Sequence, residues 1–156
     1  KVWTPGTPRD APYGGKKNSY HRQGTKFSQF SQQVEQAPSI TEGKKRQYNA
    51  VRGNFTDFMA DRKDSEPFCY WFGPTNCHRK WIQGSGKRHW NIDPDGLKGK
   101  VPPFLPDVPV VREDFADYLG EVQAFDAMLG VLIEELSTRQ NPTTTYTTID
   151  AEKNDS

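Results

Sequence analysis

The segment PFCYWFGPTNCHRKW, residues 67–81, places a cysteine, a histidine and two cations directly after an aromatic run. His78 is a residue type that serves as acid, base or hydrogen-bond donor to an anion, and Arg79 and Lys80 add positive charge suited to an anionic group. Trp81 supplies a flat apolar face on which a ring or a sugar can stack. The bland alternative is a solvated basic loop with a structural histidine, since a reactive residue type without geometry is only a candidate. Two sharper chemistries fail on spacing. Cys77 and His78 are neighbours, and neighbouring side chains of an extended chain point to opposite sides, so they do not form a nucleophile–base pair. Cys69, Cys77, His78 and His89 lack the paired short spacings of a structural zinc motif.

These residues need a scaffold to present them. Phe68 to Phe72 is a short, unbroken apolar run closed by Pro67 and Gly73-Pro74, which predicts a strand buried on both faces of a parallel sheet. Ligands of open α/β sheets bind at the carboxyl ends of strands, and GPTNCHRKW holds that position. Upstream, Tyr48, Val51, Phe55, Phe58 and Met59 fall on one face of a helix predicted from Thr41, as N-cap, to Arg62, with Asp64-Ser65 and Pro67 as the stop. Helix followed by buried strand is the repeating unit of an α/β fold.

Five prolines in residues 82–109 exclude a long helix there. The strongest helical pattern follows: Val111, Phe115, Tyr118, Leu119, Val122, Phe125, Leu129, Leu132, Ile133 and Leu136 form one continuous stripe. Pro109 suits its first turn, and Glu113 and Asp114 suit the positive end of its dipole. Gly120 and Gly130 each cost about 1 kcal/mol against alanine, which predicts a close backbone approach or a bend. Residues 1–30 read as an ordered surface loop pinned by aromatic rings. The polar tail from residue 137 offers one short strand at Thr143 to Ile149.

At 156 residues the chain has room for one domain with a modest core, and its 33% hydrophobic content is concentrated in the middle. A net charge of +1 argues against nucleic acid, which needs several cations on one face. No apolar run approaches the roughly 18 to 20 residues needed to span a bilayer, and no signal peptide is legible. Two cysteines do not make a disulfide scaffold. Lys1 in place of methionine is expected if the chain is processed or part of a longer one.

The stretches PFCYWFGPTNCHRKWIQGSGK and NIDPDGLKGKVPPFLPDVPVVREDFADYLGEVQAFDAMLGVLIEEL resemble type I sulfatases, in the branch that contains heparan N-sulfatase and related bacterial enzymes. The resemblance covers residues 66–136, and KVWTPGTPRDAPYGG is similar to the segment after the first catalytic loops. It implies an alkaline-phosphatase-like α/β domain, of which residues 1–136 would be the middle portion with an incomplete parallel sheet and flanking helices, and 137–156 a divergent tail. It also implies hydrolysis of sulfate esters or sulfamates on sulfated sugars, in an extracytoplasmic compartment. By position, His78 matches the histidine directed at the sulfate, and Lys1 the lysine of a Gly-Lys-x-His loop, although Trp3 stands where many members have histidine. Arg79 and Trp81 would contact substrate.

Such enzymes use a formylglycine made from a Cys-x-Pro-x-Arg motif and a calcium ion held by carboxylates and an amide. Neither Cys69 nor Cys77 stands in that motif, the early paired aspartates are absent, and the later metal loop is reduced to TTTYTTID before Ala151. The calcium ligands are therefore expected outside this chain, which would be inactive alone. The alternative is a non-catalytic module binding anionic glycans through Arg79, Lys80, Trp81, Lys87 and Arg88.

Overall fold

A computed structural model describes residues 20–63 and 66–139. Among the described residues four α-helices carry the fold: α1 at Phe30–Glu35, α2 at Ile40–Asp61, α3 at Ser85–Trp90 and α4 at Pro109–Thr138. Single 3-10 turns occupy Phe27–Gln29 and Asp95–Leu97. No β-strand is present among the described residues, which overturns the α/β class and its parallel sheet.

The reason lies in residues 68–72. Burial alternates there, with Phe68, Tyr70 and Phe72 half-buried and Cys69 and Trp71 exposed, Trp71 to 71%. The three inward rings pack on helices rather than on a sheet: Phe68 against Phe58, Tyr70 against Phe55 and Phe58, and Phe72 against Phe27 and Phe125. Among the described residues, no backbone hydrogen bond involves residues 68–73. A strand exists by virtue of its ladder partner, and apolar content alone does not supply one. The run is thus a single-faced aromatic ribbon laid on a helical core.

α2 follows its periodicity, burying Val51, Phe55 and Met59. Its cap is Ser39 rather than Thr41: the Ser39 hydroxyl accepts from the Glu42 backbone N–H at 3.2 Å, with an acidic residue in the first turn as the helix dipole favours. α1 was not legible as a helix, yet Phe30 and Val34 stand one turn apart on it and both belong to the core. The core is closed by α4 through Ala124, Met128, Val131 and Leu132.

α4 starts at Pro109 as expected and continues through Thr138, but the stripe that marked it is not its buried face. Tyr118, Val122, Leu129 and Ile133 are exposed, and of the stripe only Leu132 is buried. The buried side runs instead through Ala116, Gly120, Ala124, Met128 and Val131. Small residues decide this, because α3 approaches α4 backbone to backbone. A Cβ on Gly86 would overlap the Ala116 carbonyl, and one on Gly120 would lie 3.0 Å from Gly86 Cα and 3.1 Å from Trp90 Cδ1. The close approach expected at Gly120 is therefore present, whereas Gly130 faces open space. The strand expected at Thr143 to Ile149 lies outside the described residues.

Candidate functional site

The loop between the aromatic ribbon and α3 is fastened at successive points to residues 27–32. The Thr75 N–H donates to Ser28 Oγ at 2.8 Å, and Asn76 Nδ2 donates to the Phe27 carbonyl at 2.9 Å. Gln32 Nε2 donates to the Lys80 carbonyl at 2.7 Å, and the Ile82 N–H to Ser31 Oγ at 3.1 Å. A turn from the His78 N–H to the Thr75 carbonyl, 2.9 Å, tightens the centre. Asn76 is buried beneath this turn, while Cys77, His78, Arg79 and Lys80 are exposed above it. The expected site residues are thus carried on one short, anchored segment. Lys1 lies outside the described residues.

His78 stands at the edge of a cleft of about 380 Å³ walled by Pro74, Thr75, Asn76, Cys77, Val122 and Phe125. Its Nδ1 contacts the Arg79 carbonyl oxygen. A carbonyl can only accept, so Nδ1 carries the proton and Nε2 is left for an outside partner: as acceptor when the ring is neutral, as donor when it is charged.

Arg79 and Trp81 face a different neighbour. Arg79 makes a two-pronged pair with Asp114, one arm at 2.7 Å, and its guanidinium lies 4.5 Å from the centre of the Trp81 ring. The bond to Arg79 holds the Asp114 carboxyl below its ordinary value and pushes the arginine up. Trp81 meets Tyr118 edge to face at 6.1 Å. The Tyr118 hydroxyl is in turn raised, first by negative charge on Cys77 and then by burial. Two further cations of the basic stretch are matched: Lys87 with Asp93 at 3.6 Å and Arg88 with Glu35 at 2.7 Å. Lys80 makes no ion pair among the described residues. Of the cations Arg79, Lys80, Lys87 and Arg88, three are thus paired with a carboxylate at the surface and Lys80 is not, among the described residues.

His89 is buried, with Nε2 at 3.0 Å from Glu35 Oε1. Burial lowers its pKa, against the opposing pull of Glu35. Lys44 donates to the His89 carbonyl at 2.5 Å and lies 3.5 Å from the centre of the Trp90 ring. The cluster is a structural joint between α1, α2 and α3.

Two residues that sequence reasoning missed organise the site from below. Asp117 accepts from the Gly84 and Gly86 N–H groups, both at 2.8 Å, and so fixes the start of α3. One turn later, Glu121 accepts from the Ser31 N–H at 3.1 Å and lies 3.5 Å from Asn76 Nδ2. Both carboxyls are buried to 2% exposure. The available signal was two acids four residues apart, flanked by apolar residues in a helix, a pattern that buried polar groups must satisfy with specific partners.

No family model, no curated protein and no solved structure matches this chain.

Proposed function

We propose that the chain is part of a sulfatase-type hydrolase acting on sulfated sugars or glycans, with His78 directed at the sulfate group. The observation that carries this reading is the placement of His78: exposed at the edge of an apolar-walled cleft, on a loop whose neighbours are bonded into the core. The resemblance of residues 66–136 to sulfatases supplies the substrate class. An anion-facing Nε2 must donate, so in this reading the sulfate oxygen accepts a hydrogen bond from it. Arg79, bound to Asp114, acts in this reading by shaping the loop, and Trp81 by covering that pair.

Among the described residues no three His, Cys, Asp or Glu side chains converge, and this reading assigns the calcium ligands to residues outside this chain. With no Cys-x-Pro-x-Arg motif either, the chain supplies recognition and leaving-group chemistry but neither nucleophile nor metal, and is inactive alone. The sheet implied by the resemblance is absent among the described residues. An extracytoplasmic location belongs to the same reading. No helix among the described residues is long and apolar enough to cross a membrane.

Two measurements test it. Reading the coding frame upstream of Lys1 should reveal Cys-x-Pro-x-Arg. Titrating a sulfated oligosaccharide into the chain should shift the His78 ring resonances. An upstream frame without the motif, together with unmoved His78 resonances, would refute the proposal.

A further inference from the structure

We propose that Glu121 is a buried proton-binding site whose occupancy tightens the junction between α4, the start of α1 and the loop that carries His78. The geometry is that of an acid with no cation to compensate it. Among the described residues neither Glu121 nor Asp117 takes part in an ion pair, and the charged groups on the surrounding elements are committed elsewhere. On α1, Glu35 is held by Arg88 and His89 of α3. On α2, Arg52 is held by Glu134 and Glu135. At the head of α4, Arg112 is bound to Asp107 at 2.8 Å, and on the loop Cys77 and His78 are exposed.

The two acids differ in their remaining capacity. Asp117 uses both oxygens on short backbone bonds. Glu121 takes the Ser31 backbone N–H on Oε1, with the Ser31 hydroxyl also close to the carboxyl, while Oε2 has the long contact from Asn76. The oxygen of the same amide, Asn76 Oδ1, is buried and has no hydrogen-bond partner among the described residues. A proton on Oε2 turns that oxygen from acceptor to donor at the side of the carboxyl that faces the Asn76 amide, where the present contact is long. Asn76 keeps its bond to Phe27, and Glu121 Oε1 still accepts from Ser31. Proton uptake thus removes a buried charge that no cation compensates.

The direction of the pH dependence follows. Burial raises the Glu121 carboxyl above its ordinary value, with Asp117 adding to the rise and the Ser31 and Asn76 bonds opposing it. The folded chain therefore binds this proton more tightly than the unfolded chain. The stabilisation grows as pH falls through the folded-state value and is complete below the ordinary glutamate value. His89 works the other way in an overlapping window: burial lowers it, so acid below the ordinary histidine range costs stability. A comparison with Glu121→Gln separates the two, because His89 is common to both proteins.

Thermal melts of the chain and of Glu121→Gln between pH 8 and pH 5 test the inference. The variant should melt about 3 °C above the wild type at pH 8, and the gap should close toward pH 5. A gap that is absent or constant across this range overturns the proposal. Should Glu121→Gln fail to fold, ¹³C NMR of the wild-type Glu121 carboxyl decides alone. Titration above the ordinary glutamate range is expected, and titration within or below it overturns the inference. Neither readout depends on sulfate, so the result is independent of the proposed function.

Discussion

Two faces of α4 meet along one helix and behave differently. One, through Ala116, Gly120, Ala124, Met128 and Val131, is built of small and flexible residues and is buried. The other, through Tyr118, Val122, Leu129 and Ile133, is larger, more hydrophobic and exposed. Apolar residues cover well over half the circumference of the helix, more than one packing surface uses. The contrast teaches that bulk does not choose the buried face. α3 sits where Gly86 and Gly120 let two backbones meet, and that contact sets the rotation of α4 against α2.

Neighbouring residues give the largest expected difference. Met128→Ala, at 0% exposure, should lower stability by about 3 kcal/mol through lost burial and a residual cavity. Leu129→Ala, at 37% exposure, should lower it by no more than about 1 kcal/mol. Denaturant unfolding of both variants measures this, and equal losses would break the assignment of faces.

The glycines sharpen the same comparison with smaller effects. Gly86→Ala forces a methyl into the Ala116 carbonyl and should destabilise by about 2 kcal/mol or more. Gly130→Ala meets nothing within 4 Å and should stabilise by up to about 1 kcal/mol through helix propensity. A stabilised Gly86→Ala variant would mean that α3 does not pack where the structure puts it.

Much of this was legible in the sequence and some was not, for physical reasons. α2 and α4 were readable because a 3.6-residue period extends over several turns; glycine inside such a pattern pointed to a close approach at Gly120, which is present, and equally at Gly130, which meets nothing within 4 Å. The rotation of α4 was not readable: apolar residues on both faces leave the period intact and the direction undetermined. Residues 68–72 misled because a short apolar run fits a buried strand and a one-sided ribbon equally well, and only the absent partner distinguishes them. At the site, His78 and Arg79 were visible as residue types. The pairing of Arg79 with Asp114, 35 positions away, and of Glu121 with Ser31, 90 positions away, depends on tertiary contacts that no local pattern encodes.

The most direct test of the helical account is methyl NMR with a dissolved paramagnetic agent. The structure predicts strong broadening of the Val122, Leu129 and Ile133 methyls and protection of Val34, Val51, Val131 and Leu132. Protected Val122, Leu129 and Ile133 methyls beside broadened Val131 and Leu132 would contradict it.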